Sequence, residues 1–405
     1  KGLLVLDKIL KLGSKLLEES EYYLKFLILK GKLFYSKGKL DHSKSLLNKA
    51  LSISENFEVK DREILGECYN VLGLIHLAAN DIKAALKYFQ KSFNIYNQLP
   101  NKFGFIDAKV LINIGICHGD LGEFNKALKC YKKSLKMLNK AFGPNNPFSG
   151  SLHINIGSSY YRQGDFKKAL EQYINGYKIY LNIFGENHIY IASALNNIGL
   201  VLRHKKQYKA SEKYLKKALH IRLKLLNPDH YYVAQSYQSF GELYWDMGKL
   251  DKAVDFYSRN LKILIKTNPH DQYDIAMTYD NLAKVCIKKK DYTDARKYLD
   301  YAIQGIESSL GKNHPFLGQL YIRLGQLFIE TSEIQNAIQI LNLALNINKS
   351  IKQKDSLKIA KSLFFLGKAY YLNNQFKKAQ SLLKKAEPIG KRNKAPWLKE
   401  LRKML

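Results

Sequence analysis

The sequence predicts an all-α solenoid of about nine helical hairpins, and three observations carry that prediction. Gly31, Gly73, Gly115, Gly157, Gly199, Gly241, Gly325 and Gly367 are spaced on a 42-residue period, with Ala283 in the one remaining slot, so nine copies run without an insertion. Two further columns keep the same register. Twelve residues after each slot stands Ser43, Ala85, Ala127, Ala169, Ser211, Ala253, Ala295, Ala337 or Ala379, and seven further on a second small residue recurs, Asn260 being the one larger exception. Finally, 8 prolines and 25 glycines in 405 residues, with 46% apolar residues, favour helix over loop-rich β structure and exclude a disordered chain.

Each part of a copy has its own signal. The stretch 191–203 (IASALNNIGLVLR) carries apolar residues at helical period, and 208–226 does so again. Short polar turns such as HKKQ, RQGD, DMGK and DLGE lie between the two and reverse the chain. Glycine on the first helix and alanine on the second let the helices approach closely, and the large residue between the small columns (Leu47, Phe89, Tyr131, Tyr173, Leu215, Tyr257, Leu299, Leu341, Leu383) fills the space beside that contact. At the joints between hairpins, Gly143, Gly185 and Gly311 suit a left-handed helix stop, and Asn146, Asn187, Asp229 and Asn313 suit the next N-cap, with Pro147 in a first turn. The expected domains are residues 1–23, an N-terminal helix of a partial repeat or cap; 24–387, the nine-repeat array; and 388–405, a C-terminal capping helix. In the last, Pro388 and Pro396 interrupt the helix, and Trp397, Leu398, Leu401 and Leu405 make an apolar stripe that covers the terminal core.

Leu72-Gly73, Ile156-Gly157 followed by Tyr160, then Ala169, Tyr173 and the small residue at 176, resemble the tetratricopeptide (TPR) signature. The usual TPR period is about 34 residues. The 42-residue form, with Gly-x-x-His-Pro joints and Leu-Asn-Asn-Ile-Gly over 195–199, resembles the kinesin-light-chain subclass. HEAT and armadillo repeats share the period but lack this grid. The resemblance covers about residues 24–387 and implies a right-handed superhelix whose first helices line a concave, non-catalytic groove for a peptide or protein segment. Copy 1, with Lys30 where an apolar residue is usual, and copy 7, with Ala283 and Cys286, depart from the pattern.

Signals for chemistry are absent. None of the HExxH, GxxxxGK[ST], GxSxG or strand-borne GxGxxG patterns occurs, so an enzyme is not expected. Cys68, Cys117, Cys130 and Cys286 form no CxxC, and Cys117 and Cys130 read as small core residues. His188, His230 and His314 repeat one joint position, which is explained by joint hydrogen bonding. No metal and no cofactor is expected, and no apolar run is long enough to span a bilayer.

The resemblance places the inner face three and two residues before the glycine and one, four and five after it. Two before it stand Asn113, Asn155, Asn197 and Asn281, amides that can donate to and accept from the main chain of an extended peptide. The alternative is that they bridge neighbouring hairpins. Four after it, Tyr161, Arg203 and Trp245 are of the types that dominate interfaces. Five after it, Asp120, Arg162, His204, Asp246, Lys288 and Glu330 vary in sign along the array and suggest pairing between repeats. The column three before holds no lysine, so the lysine-and-asparagine clamp of some TPR cochaperones is absent. The candidate groove is therefore Asn113, Asn155, Asn197, Asn281, Tyr161, Arg162, Arg203 and Trp245.

Charge bounds the partner. Of 66 basic residues 57 are Lys, against 35 acids, a net charge of +31. Pairs such as Lys132-Lys133, Lys167-Lys168, Lys216-Lys217 and Lys384-Lys385 fall on the solvated second helices. Arg, the fork preferred for phosphate and guanine, is scarce. A protein or peptide partner, an acidic one being favoured by the positive field, is expected over nucleic acid, whose binding through the basic surface is the remaining alternative. The expected setting is cytoplasmic. A different reading takes the chain, which starts at Lys1, as the sensor or regulatory part of a larger signalling protein carrying an NTPase switch, kinase or caspase-like protease.

Overall fold

The computed structural model describes residues 20–55, 59, 61–99, 104–350 and 357–405. The expected cap over 1–23 falls almost wholly outside them. Of the described residues 84% are helical, in nineteen helices with no strand. None of these helices is long and apolar enough to cross a membrane.

The chain divides into two compact units, residues 1–205 and 206–405. The first holds α1 (Glu21–Ser36) with α2 (Leu40–Ser54), α3 (Arg62–Ala78) with α4 (Ile82–Gln98), α5 (Gly104–Asp120) with α6 (Phe124–Phe142), α7 (Pro147–Arg162) with α8 (Phe166–Phe184), and then α9 (Ile189–His204). The second opens with α10 (Tyr208–Leu225). It continues as α11 (Tyr231–Asp246) with α12 (Leu250–Thr267), α13 (Gln272–Lys289) with α14 (Tyr292–Leu310), α15 (Pro315–Glu330) with α16 (Ile334–Ser350), and α17 (Leu357–Leu372) with α18 (Phe376–Arg392). A short α19 (Leu398–Met404) closes it.

The columns have a sharper meaning in three dimensions than close approach of backbones. The large column residue lies directly on the glycine. A Cβ at Gly73 would stand 2.5 Å from Phe89 Cε1, one at Gly157 2.7 Å from Tyr173 Cδ1, and one at Gly241 2.5 Å from Tyr257 Cδ1. Where Ala283 fills the slot its column partner is the smaller Leu299, and both are fully buried. The small polar residues of the other columns are satisfied by the facing helix: Ser43 Oγ donates to Gly31 O (2.7 Å), Ser92 Oγ to Gly66 O (2.6 Å) and Ser134 Oγ to Ala108 O (2.8 Å). A second pairing escaped the sequence reading. Gly66 and Gly150, near the starts of first helices, receive the rings of Tyr96 and Tyr180.

Three local expectations are corrected. The left-handed stop sits in the turn inside each hairpin, seven residues after the slot, at Gly38, Asn80, Gly122, Gly164, Lys206, Gly248, Lys290, Ser332 and Asn374. The N–H of the following residue closes the helix, as in Glu123 N to His118 O (2.8 Å), the Schellman arrangement. At the joints, Gly143 (φ 76, ψ 169), Gly185 (φ 70, ψ −174) and Gly311 (φ 86, ψ 160) instead adopt positive φ with extended ψ, a region open only to glycine. The joint caps also shift by one residue. Asn146 caps α7 as expected, its Oδ1 accepting from Ser149 N at 2.9 Å. The aligned residue elsewhere is the histidine, whose Nδ1 accepts from the N–H two residues on: His188 from Tyr190 (3.2 Å), His230 from Tyr232 (3.0 Å), His314 from Phe316 (3.3 Å).

The third correction is Pro388, which does not interrupt α18. It lies at an exposed position, where a carbonyl left without its donor can be hydrated, and Trp397 packs on Gly390 two residues further along the helix. Pro396 does lie between helices. Trp397 and Leu401 are buried and Trp397 stacks on Phe364 (4.9 Å), whereas Leu405 stays exposed.

Candidate protein-binding face

The inner-face rows fall on first helices, and the two units carry different chemistry there. In the first unit, Asn113 of α5 donates through Nδ2 to Asn70 Oδ1 of α3 (3.1 Å), so this amide bridges neighbouring hairpins. Asn155 and Asn197 are half-buried, and their side-chain amides meet no partner among the described residues. Beside Asn197, the buried Asn196 Oδ1 accepts no hydrogen bond from a described residue. Asn155 borders a hollow of 140 Å³ that also takes in Tyr131, Ser158, Asp120 and Arg162.

The predicted charged row is stitched between repeats in this unit. Arg162 Nη1 of α7 lies 3.6 Å from Asp120 of α5 and donates to Gly119 O (3.3 Å). Tyr161 and Arg203 meet through His204. Arg203 Nη2 donates to His204 Nε2 (3.0 Å), the Tyr161 hydroxyl is 2.8 Å from the same nitrogen, and Phe166 stacks on the imidazole at 4.7 Å. Arg203 is only 8% exposed. It reads as the floor of this cluster more than as a free anchor.

In the second unit, Trp245 of α11 is half-buried and Lys284 of α13 lies over its ring, 4.0 Å from the centroid. Asn281 is half-buried with no side-chain partner among the described residues. Asp280 and Arg323, three and two residues before the slots of consecutive copies, form a bidentate ion pair from α13 to α15. Gln319 Nε2 donates to the same carboxylate (2.8 Å). The one signal for this pair was their presence in two inner-face columns of consecutive copies.

Among the described residues no three His, Cys, Asp or Glu side chains are gathered as a metal site. Burial pushes the thiols up, Cys68 to about 12 and Cys117 and Cys286 to about 11, away from the reactive thiolate. What the face offers is hydrogen-bonding amides, flat rings and cations on rigid helices.

Comparison with known proteins agrees on the fold. No curated protein matches the sequence. Among solved structures, the apo form of the quorum sensor NprR from B. thuringiensis aligns with a TM-score of 0.62 at 18% identity, over 87% of this chain and 98% of that one. A Rap protein complexed with Competence and Sporulation Factor gives 0.60 at 13% identity, over 95% and 100%. A signal-transduction ATPase with a tetratricopeptide repeat sensor from Pyrococcus horikoshii gives 0.62 at 16%, over 94% of this chain and 54% of that one. The family model for the tetratricopeptide repeat matches residues 24–98, 107–182, 190–266 and 274–350, well over half of the sequence. The chain belongs to the tetratricopeptide repeat family.

Proposed function

We propose that this chain is a non-catalytic, cytoplasmic interaction scaffold that binds an extended segment of a partner protein along its inner face. The observation that carries the reading is the state of the asparagine row. Asn155, Asn197 and Asn281 are half-buried on first helices with both amide functions uncommitted among the described residues. An uncommitted, partly desolvated amide is costly unless a ligand or water satisfies it, and an extended main chain supplies donor and acceptor together. Asn113 is set apart from the proposed contacts by its bond to Asn70. Tyr161 and Arg162 accompany Asn155 and Asn197 in the first unit as anchors, and Trp245 accompanies Asn281 in the second. The fold neighbours include a Rap protein solved with Competence and Sporulation Factor, which fits a repeat array that holds a ligand.

The test is Asn155→Ala with Asn197→Ala, compared with the wild type for capture of partners from lysate. The captured set should drop by at least tenfold in the double variant. Unchanged capture refutes the amide mechanism.

A second reading, a sensor array within a larger signalling protein, is favoured by one observation: a signal-transduction ATPase whose repeats serve as its sensor shares this fold. The full open reading frame decides between the two.

A further inference from the structure

At four joints among the described residues a Tyr or Phe ring stands three residues after the slot of the following copy, and the four are not filled alike. Between α6 and α8, Lys132 and Lys168 lie over Tyr160, 5.9 Å and 5.4 Å from its centroid. Between α10 and α12, the Tyr244 hydroxyl donates to Glu212 Oε1 (3.1 Å) while Lys252 lies over the ring (5.3 Å). Between α14 and α16, Arg296 lies over Phe328 (4.6 Å), tied to Asp300 of its own helix. In each case a long charged side chain, thirteen or seventeen residues after the preceding slot, crosses the joint to the ring. Between α16 and α18 those two positions hold Ile338 and Asn342. Asn342 Nδ2 turns back to Ile338 O of its own helix (2.8 Å), and the Tyr370 hydroxyl meets no described partner.

These shorter side chains leave a cleft of 410 Å³ between α16 and α18. Buried Leu345 and Leu366 form its floor, and half-buried Leu382 and the Tyr370 ring form its walls. Exposed Lys377, Lys378 and Ser381 stand at the mouth. The mouth also lacks an acid that sister helices carry. In α6 and α8 the residue eight after the slot pairs with the lysine three further on, Glu123 with Lys126 (3.0 Å) and Asp165 with Lys168 (2.8 Å). In α18 the corresponding residue is Gln375, and neither Lys377 nor Lys378 forms an ion pair with a described residue. Nor do the surroundings supply one. Helices α16, α17 and α18 together carry ten basic residues and one acid, Glu387, which Lys391 and Arg402 already hold.

An apolar hollow with a few polar groups at one end is the usual form of a small-ligand site, at about 300–1,000 Å³, and this cleft has that size rather than the size of one anchoring side chain. Burial of a chain on the leucines supplies attraction, and two ammonium groups at the mouth fix the head group. A carboxylate there takes the place that Asp165 holds beside Lys168. We propose that the α16–α18 cleft binds a small amphiphilic carboxylate, its alkyl chain on Leu345, Leu366 and Leu382 and its head group on Lys377 and Lys378. The site lies between second helices, apart from the inner-face rows, and does not depend on what the inner face binds.

The experiment is calorimetric titration of the full chain with octanoate below its micellar concentration, with 1-octanol and acetate as probes of the two halves of the contact. Octanoate should bind at one equivalent per chain, and 1-octanol and acetate should each bind about tenfold more weakly. Gln375→Asp, which restores the acid found in α8, should weaken octanoate about fivefold and leave 1-octanol unchanged. Ser381→Trp, at an exposed position on the mouth, should abolish binding of both, whereas Lys216→Gln, an exposed control in α10, should change neither. Several weak equivalents that survive Ser381→Trp, 1-octanol binding as tightly as octanoate, or no saturable binding of octanoate overturns the proposal. The last result assigns the cleft to a side chain of a partner protein instead. Asn155 and Asn197 lie in the first unit, so their double alanine variant should bind octanoate as the wild type does, and this site and the inner-face reading fail separately.

Discussion

Gly73→Ala tests whether the glycine column exists to admit a ring. Phe89 is fully buried, and a Cβ on residue 73 would stand 2.5 Å and 2.6 Å from its Cε1 and Cδ1. Neither ring nor helix can retreat without disturbing the neighbouring hairpin, so overpacking should cost about 2 kcal/mol. Alanine returns about 1 kcal/mol of helix propensity over glycine. The net expectation is a loss of about 1 kcal/mol, felt first in α3 and α4, because repeats in such arrays unfold as near neighbours. Copy 7 supplies the rescue, since Ala283 there packs on Leu299. Phe89→Leu alone should cost about 1 kcal/mol, while the double variant should recover most of the overpacking, a coupling of about 2 kcal/mol. Native-state hydrogen exchange of the α3 and α4 amides reads the effect within the hairpin. Stabilisation by Gly73→Ala, or additivity within about 0.5 kcal/mol, refutes the ring-on-glycine account.

Two further predictions follow from the turns and joints. Lys290 holds φ 65 and ψ 23, which strains a side-chain-bearing residue, so Lys290→Gly should raise the urea midpoint slightly, the relief of about 1 kcal/mol being partly offset by unfolded-chain entropy; Gly248→Ala, with open space around it but φ 71, should lower it. His314 must be neutral to accept from Phe316 N–H, and burial, with Lys358 nearby, lowers its pKa below the usual 6.5. Its contribution is therefore complete above pH 6.5 and lost as pH falls through the lower folded value. His314→Asn, which copies the Asn146-Pro147 joint, should remove that part of the acid sensitivity in denaturant titrations at pH 7.5 and 5.5, and an unchanged difference refutes the cap assignment.

The fold was legible because the array repeats each constraint. A lone glycine beside a lone tyrosine says little, but seven glycines and one alanine facing large column residues across described hairpins leave one geometry. Where a signal occurred once, the sequence reading faltered. Pro388 reads as a breaker because its local preference is visible in the sequence, whereas its exposed place in α18 and the Trp397 ring on nearby Gly390 are not. The joint caps were displaced by one residue because Asn is the commoner cap, although His188, His230 and His314 stand in the same 42-residue register as Asn146; that an imidazole does the capping shows only in the structure. Face residues were harder still. Asp280 and Arg323 are 43 residues apart.

The net charge of +31 makes the same point about information. Lys132, Lys133, Lys167, Lys168, Lys216, Lys217, Lys384 and Lys385 are all exposed, on the second helices where the sequence placed them. Exposed lysines retain their hydration, and screening limits their interactions to about 8–10 Å at moderate salt. They can raise the rate at which an acidic partner arrives, but they cannot choose among acidic partners. Lys284 and Lys361 differ in the first respect. They are partly withdrawn from water on first helices, and burial lowers the pKa of each, that of Lys361 to about 8. Composition counts both kinds of lysine alike; only burial separates them.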